Sequence, residues 1–160
     1  MRRQVRELSA AFAALAALAA CKQDDVAFSK EGGAKGEAAL APMPADAVRT
    51  TGKHFHVDVA PAAACAPSGP CTVLAELTSL DGYKVNDQYP FRFLLEPTAG
   101  VTLAGEPSFK IHHKSTGRLT IQVQRDGAST PTRVTGSFKL SVCNPDECLV
   151  ETAPLAVNIP

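Results

Sequence analysis

Sulfur is the reactive element in this chain, and its spacing is informative. Five cysteines occur, at positions 21, 65, 71, 143 and 148. Cys143-Asn-Pro-Asp-Glu-Cys148 places two of them on either side of a four-residue connection, in which Pro145 followed by Asp146 is good turn chemistry. Cys65-Ala-Pro-Ser-Gly-Pro-Cys71 is similar. Four cysteines allow three pairings, and spacing favours the local ones, 65–71 and 143–148. The base of a tight hairpin brings two Cα atoms to about 5–6 Å, which suits a disulfide. Such short loops contribute only about 2 kcal/mol by chain-entropy reasoning, against about 4.7 for a hundred-residue loop. A short disulfide at a hairpin end is also open to attack by a partner's thiolate, with passage through a mixed disulfide. Two uses therefore stand side by side, a structural clip and an exchanging pair.

The fifth cysteine belongs to a different part of the chain. Arg2, Arg3 and Arg6 precede an uncharged Ala/Leu-rich run over residues 8–20. Thirteen helical residues span only about 20 Å, too short for a hydrocarbon core of about 30 Å. A positive start, a short apolar centre and small residues before a cut read as an export signal. Leu18-Ala19-Ala20-Cys21 resembles the lipobox of bacterial lipoproteins, and that resemblance implies cleavage before Cys21 and lipid on its sulfur and amine. An ordinary secretory signal cut after Ala20 is the competing reading. Lipidation also removes the odd cysteine, which is otherwise awkward in an oxidising compartment. Lys22 is not the aspartate linked with inner-membrane retention, so the expected location is the cell envelope, lipid-anchored at the outer membrane and facing the periplasm.

Other constellations carry less. His54 and His56 share one strand face and His112 adjoins His113, but i, i+2 histidines hold zinc or copper only if a third ligand converges. No metal and no cofactor is expected. Sixteen basic and sixteen acidic residues balance, and no basic face invites nucleic acid. The chain has no glycine-rich phosphate loop, no nucleophile elbow and no tryptophan for a sugar platform. Removing residues 1–20 takes away three Arg and one Glu and leaves a mildly acidic chain.

The elements that must position these cysteines follow from pattern. Residues 21–52 combine Cys21 with Ala, Gly, Pro, Lys, Glu and Asp, too apolar-poor to offset ordering entropy, and read as a tether with a reach of roughly 30 Å. After Gly52 the period becomes two: Phe55, Val57 and Val59 alternate with His54, His56 and Asp58. Further strands are expected over residues 72–80, 89–95, 108–112, 118–124, 133–143 and 149–159, separated by turn signals such as Asp81-Gly82 and Asp126-Gly127. Seven or eight short strands without a helical stripe predict an all-β domain over 53–160, an immunoglobulin-like antiparallel β-sandwich. Its core would hold Phe55, Val57, Leu77, Phe91, Phe93, Ile111, Leu119, Ile121, Val123, Phe138, Leu140 and Val142. Pro154, inside the last strand, points to an edge or a bulge.

Two stretches of this domain carry a resemblance. Gly82-Tyr83-Lys84-Val85-Asn86 ahead of Tyr89-Pro90-Phe91 resembles a segment of the N-terminal periplasmic domain of the DsbD thiol:disulfide interchange family. The closing stretch from Phe138 through Cys143-Asn144-Pro145-Asp146-Glu147-Cys148 to Leu149 is similar to that family's strand–Cys–loop–Cys segment. The resemblance implies an immunoglobulin-like sandwich, Cys143 and Cys148 as a redox pair, Tyr83 near it, and a periplasmic thiol–disulfide oxidoreductase as partner. The family's membrane-embedded segment and thioredoxin-like domain have no counterpart here, and neither do Cys65 and Cys71, expected as a structural disulfide. Asp146 and Glu147 place negative charge where it disfavours a thiolate. Two functions are therefore expected in competition: an electron relay through Cys143–Cys148, and a non-catalytic envelope lipoprotein whose sandwich binds another envelope protein while both disulfides act as staples.

Overall fold

Alternation of apolar and polar residues forces most of this chain into half-buried strands, and the computed structural model shows them. It describes residues 41–63, 65–127 and 132–159, all within the unit Leu40–Pro160. The export signal, Cys21 and most of the expected tether lie outside the described residues. Ten strands occur among the described residues: β1 Val48–Thr51, β2 Phe55–Pro61, β3 Ser68–Ser79, β4 Lys84–Val85, β5 Arg92–Leu95, β6 Val101–Leu103, β7 Ser108–His113, β8 Thr116–Asp126, β9 Thr132–Cys143 and β10 Cys148–Ile159.

All pairings are antiparallel, in two sheets. The first runs β1-β2-β3-β8, with β6 and β7 following one another along the outer edge of β8. The second runs β10-β9, with β4 and β5 sharing the far edge of β9 in the same way. The expected all-β sandwich is therefore the architecture, with ten strands where seven or eight were expected. Proline explains part of the difference. Pro90 offers no ladder donor, so the strand expected over 89–95 begins only at Arg92, and Pro107 separates β6 from β7 in the same manner.

The tether boundary needs correction. Val48–Thr51, assigned to the flexible segment from composition, is a strand paired with residues 56–59 of β2. Arg49 holds Asp58 across this pair through two hydrogen bonds of 2.7 and 2.8 Å, a cross-strand match that Ala- and Pro-rich flanks conceal.

The inner faces meet as the alternation requires. Val57, Val59, Val73, Ala75, Leu77, Leu119, Ile121 and Val123 bury from the first sheet, against Phe93, Phe138, Leu140, Val142, Leu155 and Val157 from the second. Phe91 and Ile111, expected inside, are only partly buried and pack on the margin of this cluster. Gly136 has no side chain for a reason: a Cβ there would meet the Phe93 ring and the Leu94 carbonyl, so β5 lies close on β9 only because glycine stands there. Thr50 Oγ1 donates to the Pro154 carbonyl over 2.8 Å and joins the free edges of β1 and β10. Pro154 sits on an edge strand in continuous register with β9, so the edge expectation holds and no bulge is present.

Candidate functional site

The hairpin β9–β10 carries the first cysteine pair. Its connection is closed by Asn144, whose N–H donates to the Glu147 carbonyl over 2.9 Å. The Asn144 side-chain oxygen accepts from the N–H groups of Asp146 and Glu147 at 2.9 and 2.8 Å, leaving Pro145 and Asp146 at the tip. Cys143 and Cys148 are directly opposed in the register, disulfide-bonded, with Cα atoms 4.1 Å apart. Because 144 and 147 exchange a ladder bond, 143 and 148 form the next, non-hydrogen-bonded pair, the kind in which opposed residues approach most closely.

The disulfide lies on the outer face of its sheet, since Leu140 and Val142 on β9 and Ala153 and Leu155 on β10 take the inner parity. Cys148 is exposed and Cys143 half-buried. Asn86, just past β4, accounts for part of the asymmetry: its N–H donates to the Ser141 carbonyl over 3.0 Å and its side-chain amide to Ser141 Oγ over 3.3 Å. That contact covers Ser141, two residues before Cys143 on the same face of β9, and sets Asn86 in the cleft that Cys143 lines.

Two residues of the β3–β4 region frame the pair. Lys84 is the cross-strand neighbour of Cys143, and both line a cleft of about 260 Å³ with Asn86, Asp87 and Pro145. Tyr83 follows a tight turn in which Asp81 and Gly82 both have positive φ, 55° and 79°, and its N–H donates to the Leu80 carbonyl. Its hydroxyl donates to Glu147 Oε1 over 2.6 Å. Its ring stacks on His54 with centroids 4.1 Å apart, and His54 Nδ1 is 3.2 Å from Asp81 Oδ2. The hydrogen bond to Glu147, reinforced by burial and by the charges of Glu147, Asp146 and Asp81, pushes the Tyr83 phenol up to about 12. Tyr83 thus stands beside the connection between β9 and β10.

Cys65 and Cys71 form the other disulfide, with Cα atoms 5.2 Å apart. Cys71 lies inside β3, 3% exposed, and Cys65 packs against the core. Arg125, at 1% exposure, donates to the Ala66 carbonyl over 2.9 Å and so fastens the 65–71 loop to β8. This buried guanidinium escapes a reading that treats charge as surface, yet it shares the inward parity of Leu119, Ile121 and Val123. Lys84 was also not singled out, because a two-residue strand gives no periodic signal.

The histidines are dispersed. His56 Nε2 lies 3.7 Å from Asp58 Oδ2, and burial lowers its pKa. His112 and His113 line a separate groove of about 530 Å³ with Lys84 and Lys114. Among the described residues no three His, Cys, Asp or Glu side chains converge as a metal set. Nor is any helix among them long and apolar enough to cross a membrane.

No family model matches the chain, and no curated protein matches it. Among solved structures it is similar to the GAE domain of GGA2p from Saccharomyces cerevisiae, at 10% identity and a TM-score of 0.45, covering 70% of this chain and 96% of that one. A yeast GGA1 GAE domain matches at 11% identity and 0.44, over 67% and 94%. The N-terminal periplasmic domain of ScsB from Proteus mirabilis matches at 14% identity and 0.43, over 69% of this chain and 50% of that one. At these scores the likeness carries no argument about function.

Proposed function

We propose that this chain is a lipid-anchored envelope protein whose sandwich exchanges electrons with a partner dithiol through Cys143–Cys148. One observation carries the reading: the disulfide closes a hairpin end on the outer face of its sheet with Cys148 exposed. The step balances without a cofactor. A partner thiolate attacks Cys148 Sγ, a bond forms between those two sulfurs, and the Cys143–Cys148 bond breaks with Cys143 leaving as a thiolate. The partner's second thiolate then attacks its own sulfur in the mixed disulfide and releases Cys148. Two electrons have passed from the partner dithiol, which becomes a disulfide, to the domain; the reverse sequence delivers them.

Charge supports the same polarity. The Lys84 ammonium, across from Cys143, favours the thiolate form of the leaving sulfur, whereas Asp146 and Glu147 adjoin Cys148. Lipid at Cys21, suggested by Leu18-Ala19-Ala20-Cys21, would hold the domain at a membrane, the outer membrane by the identity of Lys22. Cys65–Cys71 serves as a staple in this reading, since Cys71 is in the core.

Single-cysteine variants test the assignment. Cys143→Ser, which leaves Cys148 as an exposed free thiol, should form a mixed disulfide by attacking the oxidised, disulfide form of a thioredoxin-like partner, whose second sulfur leaves as a thiolate, and Cys148→Ser should form far less. Equal trapping by both variants, or none by either, would end the relay reading in favour of the staple alternative.

A further inference from the structure

The disulfide opens onto a row of unpaired backbone groups. In an antiparallel ladder alternate residues turn their N–H and C=O toward the neighbouring strand. The bond between Asn144 and Glu147 sets the parity, so Cys148, Val150, Thr152 and Pro154 of β10 turn theirs away from β9. Two further observations agree. Pro154, which has no N–H, keeps an unbroken register with β9, and its carbonyl is free to accept from Thr50. Among the described residues β10 has no second strand beside it, and nothing there hydrogen-bonds the outward groups of Cys148, Val150 and Thr152. Edges of this kind are normally blunted by lysine, proline or a bulge. Here proline appears only at 154, and the stretch from 148 to 152 carries Val150 at 60% exposure.

We infer that this edge receives an extended, cysteine-bearing segment of the thiol partner, which adds as a strand beside Cys148–Thr152 and so delivers its sulfur to Cys148. The inference rests on the exchange reading and deepens it by naming how the partner is recognised. Backbone hydrogen bonds would supply affinity and Val150 a side-chain contact. The charged residues from 146 to 152 are Asp146, Glu147 and Glu151, all acidic, so the complementary segment carries Lys or Arg beside its cysteine. Pairing with a second copy would set these acidic stretches against each other. The contact with Thr50 at Pro154 also leaves too short an edge for the roughly 1,200 Å² of a stable interface.

The test compares reductants of the Cys143–Cys148 disulfide in the oxidised full chain. One is a seven-residue peptide with a central cysteine flanked by lysine and valine, the second its twin with alternate amides N-methylated, and the third glutathione. Samples are acid-quenched and the state of Cys148 is mapped by mass spectrometry. Per unit of thiolate, the unmodified peptide should react about tenfold faster than glutathione, the effect of one or two net hydrogen bonds. Methylation should remove that advantage, and so should Val150→Pro, a change whose parity Pro154 already shows to be compatible with the β9 ladder. Equal rates for all three thiols, with the disulfide still reducible, would overturn the edge inference and leave the exchange reading standing. A disulfide that none of them reduces would remove both. A concentration-dependent dimer abolished by Val150→Pro would assign the edge to a second copy and overturn the inference.

Discussion

Tyr83 and Glu147, far apart in sequence, are joined by a 2.6 Å hydrogen bond from the phenol to the carboxylate. The bond ties the β3–β4 turn to the loop between the two outer cysteines. It fixes that loop from outside the hairpin, while Asn144 fixes it from within.

Alkaline stability should report this contact. The phenol titrates at 10.0 when unperturbed and at about 12 in the fold. Its contribution is therefore complete below pH 10 and is lost as pH rises toward 12. Urea midpoints measured across that interval should fall more steeply for the wild type than for Tyr83→Phe. Parallel curves would mean that the bond does not form in solution.

Lys84 should tune the reduced pair. With Lys84→Glu, the Cys143 thiol should titrate higher, because a neighbouring cation is replaced by an anion. Lys84→Arg should restore it. Thiolate absorbance against pH in the Cys148→Ser variant reads the effect, and identical titrations in all three would remove Lys84 from the account.

The two disulfides should differ in what their loss costs. Cys143→Ser with Cys148→Ser should cost about 2 kcal/mol in urea unfolding, the value for a short closed loop. Cys65→Ser with Cys71→Ser should cost more, because a serine hydroxyl then replaces a core sulfur at position 71. The reverse order would show that the hairpin disulfide is the main structural one.

Phe138 anchors the core, fully buried, with ring centroids 6.0 Å from Phe91 and 5.6 Å from Phe109. Phe138→Ala should destabilise the domain by about 3–5 kcal/mol. A loss below 1 kcal/mol would contradict the packing described.

Much of this was legible in sequence for definite reasons. The long strands β3, β8, β9 and β10 alternate over eleven or twelve residues, and the buried residues fall on the expected parity. The cysteine spacings matched their local pairings, because a turn motif fixes its own geometry. Short pieces such as β1, β4 and β6 were hidden, since two to four residues cannot display a period and only the strand beside them defines them. Tyr83 draws attention in the sequence only through resemblance. Its hydrogen bond to Glu147 was not legible, because that pairing depends on how two turns meet in space. Arg125 was missed because charge outweighed parity in the reading.

The account depends most on Cys143–Cys148 being a disulfide that cellular thiols can open. Its reduction potential, measured by equilibrating the protein with defined thiol–disulfide buffers and quantifying reduced Cys148, tests this directly. The account predicts a value above about −300 mV, within reach of envelope oxidoreductases, with the Cys65–Cys71 pair more negative. A Cys143–Cys148 potential well below about −300 mV would place the pair among inert structural disulfides and contradict the relay.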